Sequence, residues 1–479
     1  MRQALHIFFK DTKRLRYDVT VTLVLTATFA WCVGHTGPTI DAQSRTFYVV
    51  AELLRVALPF AWWYLVAGAI HGEALPGDRQ FWVTRPYRWK SLVGAKALFV
   101  AAFVILPLLL SDCVILALQR FHPSAHLAGL AWHPLVFSVV FLLPVAALAC
   151  VTINLVQMVM AVLATAALVV VLSLVGTSTT TLWFGSLGWV RSSLAFLVVL
   201  LGALAIMIFQ YRSRRTGLSR ILAGAAFGLA LLIESYLPWT FAFELQSRLV
   251  KSQVDTISVS VQFQPPGRPP EAASRAPAGR VRLRLPFGVS GAPAGMIAAI
   301  DDMAAQLVLP GGKLSKPLLL RRAESDKPWY TTSVEQSLYE QVKNTPLSVR
   351  AIALVTVYGN VHTERMSLEG NAHHVAGIGV CGVEPFEVQK TALVHCLVPF
   401  RLRVRTLAQF ENGVPVEELV ASFHSPYPAD FGISPMDQPG WLLPNQAGAT
   451  AIIFTTMQPL AHLRRELEIP NVQLAQFAE

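Results

Sequence analysis

The sequence predicts a membrane α-helical bundle of seven transmembrane helices, followed by a C-terminal, mainly antiparallel β-sandwich-like domain. Seven apolar segments fill the first half of the chain, and about 20 apolar residues in a helix cross the hydrocarbon core of a bilayer. Basic residues collect beside alternate gaps between these segments. From about residue 246 onward, apolar and polar residues alternate with the period of two that is typical of half-buried strands.

The predicted transmembrane domain covers residues 18–245. Hydrophobic residues make up 53% of the chain and charged residues only 14%, against about 25% charged residues in globular proteins. Before the spans, residues 1–17 mix basic and apolar side chains and predict a cytoplasmic interfacial helix. The spans are expected at about 19–38, 47–70, 97–118, 134–154, 156–176, 192–210 and 219–240.

Charge sets the expected orientation. Fourteen Lys and Arg residues flank the N-terminus, the second gap and the sixth gap, whereas three flank the opposite gaps. Positive charge is retained on cytoplasmic flanks, so the N-terminus is expected in the cytoplasm of a bacterium. Seven spans in the inner membrane then place residues 246–479 in the periplasm. The net charge of +10 is explained by topology and anionic membrane lipid, and nucleic acid is not an expected partner.

The periplasmic domain is expected to be rich in β-strands. A stretch rich in Pro, Ala and Gly at 264–279 indicates a linker, and one helix is expected at 333–343, where Ser333 and Gln336 have capping-box spacing. Alternating patterns predict strands at 256–263, 281–285, 349–358, 392–398, 402–407 and 449–455, with 462–474 as a further candidate.

Two of the five cysteines, Cys381 and Cys396, fall in this domain. In an oxidising compartment they can form a disulfide, and two independent buried thiols are the alternative. Cys32, Cys113 and Cys150 lie in expected spans, where a cysteine acts as a small apolar side chain.

Motifs for catalysis or cofactor binding are absent from the sequence. There is no phosphate-binding G-x-x-x-x-G-K-[ST] loop and no G-x-S-x-G nucleophile motif. The lone G-x-G-x-x-G match, at 377–382, precedes Pro385 and is better explained as a turn between strands. The histidines lack metal-ligand spacing. No catalytic residue, cofactor or metal site is therefore assigned, and the chain is not expected to be an enzyme.

The second gap, residues 71–96, has the most specific local pattern. An acidic residue and a glycine precede a Thr-Arg-Pro step, and an arginine, an aliphatic pair and a small residue before a lysine follow. The matching residues are Glu73, Gly77, Thr84, Arg85, Pro86, Arg88, Leu92, Val93, Gly94 and Lys96. This pattern resembles the cytoplasmic segment of type-2 ABC exporter permeases, including those linked to copper-enzyme maturation. The resemblance covers about residues 1–215.

The resemblance implies that this segment couples the permease to a separate ABC ATPase subunit, and that a second permease copy, identical or homologous, completes the transporter. From the residues alone, Thr84 can cap a helix that accepts Pro86 in its first turn and carries Trp89 on an interfacial face. A basic interfacial helix that only anchors the loop is the alternative.

Ionisable residues inside spans are costly and suggest function or pairing. Glu52 and Arg55 are three residues apart and can form a local ion pair. With Asp112 and Glu234 they are expected near the outer boundary, as one intramembrane polar cluster or as side chains that extend to the interface. Gly224 and Gly228 form a G-x-x-x-G motif that permits close helix packing, within the chain or between two protomers.

Together these patterns favour a permease subunit of an ABC-type exporter, with an added periplasmic domain that docks substrate or a partner. The alternative is a membrane-anchored periplasmic ligand-binding, sensor or scaffold protein without transport activity. Seven spans exceed what an anchor requires, which favours transport.

Overall fold

The computed structural model describes the larger part of the chain, in a helical half and a β-rich half. The described residues are 2–37, 42–72, 88–176, 183–250, 258–264, 279–322, 329–368, 373–375, 378–386, 391–400, 405–411, 417–418, 436–437, 440–443 and 450–478. The first four ranges form a helix bundle and the others form a β domain.

Eleven helices build the described part of the bundle. They are α1 (Arg2–Arg14), α2 (Arg16–Gly34), α3 (Ala42–His71), α4 (Trp89–Val100), α5 (Leu106–Leu118), α6 (Leu127–Phe137), α7 (Leu143–Val151), α8 (Leu155–Gly176), α9 (Gly188–Ser213), α10 (Thr216–Tyr236) and α11 (Trp239–Leu249). Helix α1 lies within the region expected to form a separate N-terminal helix.

Two π-helical turns join shorter helices into continuous rods. Ala101–Ile105 connects α4 to α5, and Ser138–Leu142 connects α6 to α7. Each turn is followed within two residues by a proline, Pro107 or Pro144, that cannot donate the backbone hydrogen bond of a regular helix. The wider turn accommodates the proline ring without ending the helix.

Six segments are long and apolar enough to cross a membrane among the residues that the structure describes. They are Arg16–Gly34, Thr46–His71, Trp89–Leu118, Pro123–Val151, Gly185–Ser213 and Thr216–Tyr236. Two of them begin well before their expected starts at 97 and 134, because each rod continues through residues that the apolar pattern alone excludes. Helix α8 covers the remaining expected span, and its apolar stretch in the described part is shorter, Leu155–Val171.

The helices alternate in direction, and side-chain bonds show which termini meet. At one end, His71 Nε2 lies 3.1 Å from Thr152 Oγ1, and Arg220 donates to the carbonyl oxygen of Val151 at 3.3 Å. This is the N-terminal end of the bundle. At the other end, Gln119 donates to the carbonyl oxygens of Val33 and Thr36. The β domain packs there, and we call it the β-domain end.

The glycines of the G-x-x-x-G motif do not mediate close packing among the described residues. A Cβ atom added to Gly224 or Gly228 meets no atom within 4 Å beyond its own helix turn. The close approach of α9 and α10 occurs at Gly202 instead, where an added Cβ would lie 2.5 Å from Ala226 Cβ. Packing of α10 within the chain thus uses a different small-residue pair from the one expected.

The β domain contains fourteen strands and one helix in its described ranges. They are β1 (Ser260–Phe263), β2 (Arg280–Ser290), β3 (Ile297–Val308), β4 (Leu318–Arg322), β5 (Trp329–Glu335), α12 (Gln336–Val342), β6 (Leu347–Ser367), β7 (His373–Val375), β8 (Gly379–Phe386), β9 (Thr391–Pro399), β10 (Arg405–Phe410), β11 (Glu417–Glu418), β12 (Met436–Asp437), β13 (Gly440–Leu443) and β14 (Ala451–Val472).

The strands form two sheets with antiparallel pairing. The larger has the order β1-β2-β5-β4-β3-β6-β14-β10 and the smaller β11-β13-β9-β8-β7, with β12 paired to β9. One apolar core packs on the larger sheet, around Phe287, Met303 and Val357. A second core joins side chains of both sheets, including Ile452 and Phe454 of β14 and Val394 of β9.

Strands β6 and β14 are much longer than the sequence predicts, at 21 and 22 residues. They pair from Leu347–Val472 to Ser367–Ala451, with register shifts near Gln458 and Ala461. The two patterns expected at 449–455 and 462–474 are therefore one bulged strand. A bulge adds a residue to one strand and bends it, so apolar and polar residues no longer alternate strictly across the bulge. The two halves of β14 therefore read as separate strands in the sequence.

Two further expectations have clear outcomes. Cys381 and Cys396 form a disulfide between directly opposed residues of β8 and β9, with the Cα atoms 3.9 Å apart. The capping box at Ser333 is wrong, because Ser333 lies in β5 and Glu335 precedes the helix without a side-chain cap. Most of the 377–382 motif lies in a strand rather than in a turn, because β8 begins at Gly379, which pairs with Val375 of β7; Gly377 lies outside the described residues.

The packing of α9 against α10 yields a test. Gly202→Ala should destabilise the protein by about 1–3 kcal/mol, because the new methyl group overlaps Ala226 in a closely packed interface. Gly224→Ala is the matched control and should be neutral or slightly stabilising, since alanine favours helix more than glycine does. Thermal unfolding of the detergent-solubilised variants measures both. Equal effects at the two positions would contradict the assigned interface.

Candidate functional site

The four ionisable residues expected to form one polar cluster are distributed over three ion pairs. Glu52 Oε1 and Arg55 Nη1 lie 2.9 Å apart on one face of α3, as the sequence predicts. Asp112 of α5 instead pairs with His133 of α6, at 2.6 Å between Oδ2 and Nδ1. The single cluster is therefore replaced by local pairs, the third of which lies on α9 and α10.

In the third pair, Arg191 Nε lies 2.7 Å from Glu234 Oε2, and the guanidinium also covers the ring of Trp183. A charge in a medium of low dielectric constant is tolerated when an opposite charge or hydrogen-bond donor satisfies it. Sequence reasoning missed His133 and Arg191 as partners because both lie at the edges of apolar segments, where a polar residue is ordinary. Their pairing depends on helix contacts that no local pattern encodes.

The expected coupling segment is described only in part. Glu73, Gly77, Thr84, Arg85 and Pro86 lie outside the described residues. Arg88 has extended backbone angles and immediately precedes α4, which begins at Trp89. A helix capped at Thr84 that continues through Trp89 is therefore wrong. Trp89 is 38% exposed, whereas Leu92 is buried.

Lys96 lies inside the bundle rather than on its surface. Its Nζ is 2.6 Å from Oδ2 of Asp11, and the side chains of Lys96 and Asp11 are 7% and 0% exposed. Asp11 belongs to α1, so the pair joins the N-terminal helix to the first turns of α4. Phe8 of α1 packs beside it against Phe99 and Phe103.

Helix α1 also contacts the end of α3. Arg14 donates through Nη2 to the carbonyl oxygen of Gly68 at 2.6 Å. Gly72 ends this region, and a Cβ atom there would overlap the Arg14 guanidinium. One short helix thus holds the last turn of α3 with Arg14 and the start of α4 with Asp11. We call these contacts the α1 brace; they fix the chain on both sides of residues 73–87.

At the β-domain end, apolar side chains of both halves share one core. Phe184 and Leu187, just before α9, and Val190 in its first turn meet Ala242 of α11, together with Ala304 and Leu354 of the β domain. The Ser186 N–H donates to Asp302 Oδ2 at 2.6 Å. Burial raises the pKa of Asp302, although the hydrogen bonds from Ser186 oppose this shift.

A chain of hydrogen bonds continues this contact through the larger sheet. Gln246 of α11 lies 3.3 Å from His462 Nε2, and His462 Nδ1 lies 2.7 Å from Thr356 Oγ1. Thr356 donates in turn to Asp301, which also accepts a hydrogen bond from Tyr358 at 3.0 Å. Burial lowers the pKa of His462, and the Asp301 carboxylate partly opposes this effect. A neutral His462 suits this arrangement.

Comparisons with protein-family models, curated proteins and solved structures find nothing that matches the chain. In the described residues, no group of three or more His, Cys, Asp or Glu side chains could hold a metal ion. The resemblance of residues 71–96 to exporter permeases thus stays a prediction from the sequence.

The buried Asp11–Lys96 pair should respond asymmetrically to substitution. Lys96→Met alone should cost about 3–5 kcal/mol, because it leaves the Asp11 charge buried without its partner. The double variant Lys96→Met/Asp11→Leu should recover most of this loss. Thermal unfolding of both single variants and the double variant completes the cycle. Additive losses would show that the two side chains do not depend on each other.

The contact between α11 and the β domain should weaken in mild acid. Below about pH 6.5 the His462 imidazole becomes protonated in the unfolded chain, whereas the folded protein keeps it neutral. The contribution of His462 to stability is therefore full above about pH 6.5 and is lost as the pH falls. Asp302, with its raised pKa, acts in the opposite direction. His462→Gln should therefore flatten the acid side of a pH–stability profile. His362→Gln, at an exposed imidazole, is the control and should leave the profile unchanged.

Proposed function

We propose that this protein is the membrane-spanning permease subunit of an ABC-type exporter, driven by a separate ATPase. The α1 brace is the observation that supports this function best. A partner that contacts residues 73–88 acts on a segment whose two sides are held by one helix, through Arg14 and Asp11. Displacement of the segment would therefore move α3 and α4 together.

The rod formed by α4 and α5 provides a path for this motion. It is continuous from Trp89 to Leu118 through one π-helical turn. At its far end, Gln119 bonds to the end of α2, and Asp112 bonds to His133 of α6. Movement at the N-terminal end would thus reach the ion pair near the β domain without passing through a loop.

Seven membrane crossings are part of this proposal. Helix α7 ends at the N-terminal end of the bundle, where Val151 accepts a hydrogen bond from Arg220. Helix α9 begins at the β-domain end, where Ser186 contacts Asp302. Helix α8 lies between them in sequence and has 22 residues, about 33 Å at 1.5 Å per residue. That length suffices to return the chain across a bilayer.

An odd number of crossings places the N-terminus and the β domain on opposite sides of the membrane. With the basic flanks in the cytoplasm, the β domain would lie in the periplasm of a bacterial cell, where the Cys381–Cys396 disulfide is favoured. Its two sheets would pack as a sandwich on the shared core and dock substrate or an outer partner. A second permease copy would complete the transporter.

Affinity purification from the native host tests the proposal. The solubilised wild-type protein should recover an ATPase with a phosphate-binding loop, and Arg85→Glu/Arg88→Glu should reduce this recovery about tenfold or more by reversing charge in the contact segment. Arg248→Glu is the control, because Arg248 is exposed on α11 at the other end of the bundle.

The outcomes separate the competing functions. If the Arg85→Glu/Arg88→Glu variant still recovers the ATPase specifically, the ATPase contact lies outside residues 85–88. Absence of any ATPase from every preparation would refute the exporter and favour a membrane-anchored ligand-binding or sensor protein.

A further inference from the structure

The residue that follows β9 has an unusual backbone conformation for its type. Phe400 has φ of 44°, in the left-handed region that bulky side chains rarely adopt. Such a conformation is energetically unfavourable and persists when surrounding contacts compensate for it. The contacts that hold the Phe400 side chain are therefore informative.

The ring of Phe400 lies in a notch on α6. A Cβ atom on Gly129 would overlap ring atoms of Phe400, so the notch exists because this position has no side chain. Imidazoles flank the ring, with centroid distances of 6.2 Å to His126 and 6.4 Å to His133. His126, Gly129 and His133 are three and four residues apart, so they lie along one helical face around the start of α6.

Directly behind the notch is the most deeply buried of the three ion pairs near this end. His133 is bonded to Asp112, and their side chains are 13% and 0% exposed. The Oδ1 atom of Asp112 has no hydrogen-bond partner among the described residues. A buried carboxylate that is only half satisfied gains stability if it acquires water or another donor. The Phe400 ring stands on the side of His133 that faces the β domain.

The β domain holds Phe400 firmly in place. Leu397 of β9 is part of the apolar core of the helix bundle, and Val380 of β8 packs against the same core. The Cys381–Cys396 disulfide joins β8 to β9 beside these residues. The protruding residue is thus mounted on a cross-linked strand pair rather than on a free loop.

We propose that Phe400 is an autoinhibitory plug for the β-domain end of the bundle: its ring fills the Gly129 notch and shields the Asp112–His133 pair from water. Withdrawal of the plug opens this end. The proposal rests on the proposed transport function for its purpose and deepens it by naming a gate. Its geometry can be tested without any ATPase or substrate.

Chemical footprinting of native histidines measures the shield. Diethyl pyrocarbonate acylates accessible imidazoles, and mass spectrometry of peptides gives the rate at each histidine of the purified full-length protein in lipid nanodiscs. Phe400→Ala should raise the modification rate of His133 at least about fivefold, because the ring no longer blocks approach to the imidazole. Gly129→Ala should do the same with Phe400 retained, by expelling the ring from the notch.

Two controls make the result specific. Leu319→Ala changes an exposed side chain elsewhere in the β domain and should leave the rate at His133 unchanged. His462, whose imidazole is hydrogen-bonded at both nitrogens, reports global unfolding, and His362, whose side chain is 60% exposed, reports the reagent dose; both should react at the same rate in every variant. The double variant Gly129→Ala/Phe400→Ala should match Phe400→Ala alone, since both substitutions act on one contact.

An unchanged rate at His133 in both single variants, with His362 constant, would overturn the plug. A rate that rises at His133 and His462 together would also count against it, because general loosening rather than a local shield would then explain the exposure. Either result leaves the ATPase pull-down, and hence the exporter proposal, to be decided separately.

Discussion

The pairing of buried charge is the constraint on which the helix bundle depends. Asp11 and Lys96 are both almost completely removed from solvent, and neither charge is tolerable in an apolar interior without the other. Their pairing requires the amphipathic α1 to lie against the base of α4, and the stacked Phe8 and Phe103 rings fit the same geometry. The position of a thirteen-residue helix is thus fixed by one ion pair and the packing around it.

This constraint links the two ends of the molecule. Because Asp11 and Arg14 lie on one short helix, the start of α4 and the end of α3 cannot separate without breaking a buried charge pair or the hydrogen bond from Arg14 to Gly68. The α4–α5 rod then carries any tilt to Asp112, which is itself paired to His133. A structure that pairs its charges between neighbouring helices moves those helices as units, since each broken buried pair is costly.

Sequence patterns predicted the elements whose signal is local. Apolar runs located the six long apolar helices, and alternation located parts of β2, β6 and β9. For Cys381 and Cys396 the sequence leaves a disulfide and two buried thiols open, and the structure has the disulfide. The same reasoning failed where tertiary contacts override the local signal. The sequence places Lys96 in the gap just before the span expected at 97–118, but Asp11, 85 positions earlier in the chain, allows the helix to include it.

The β domain shows the same limit. Strand β3 contains Asp301 and Asp302 at a bulge, so its alternation is broken where the acidic residues bond to Thr356, Tyr358 and Ser186. The strand expected at 349–358 covers only the largely buried first half of β6; from Asn360 to Ser367 the strand is mostly exposed, so few apolar positions mark its continuation. Pairings such as Asp112 with His133, and the seat of Phe400 over Gly129, join residues from different elements and leave no periodic trace in either one.

The β domain contacts the bundle in two unlike ways, and the difference bears on which contact can open. Toward α9 and α11 it shares an apolar core, a hydrogen bond from Ser186 to Asp302 and the His462 chain, while Arg464 covers the Trp239 ring. Toward α5 and α6 the contact includes Leu397 and Val380 at the apolar core and the Phe400 ring between two imidazoles. Separation at the first contact would leave buried polar groups without hydrogen-bond partners. Separation at the second contact exposes mainly the Phe400 ring and relieves the strained backbone of that residue. A β domain that moves relative to the helices is therefore expected to stay with α9–α11 and to part from α6.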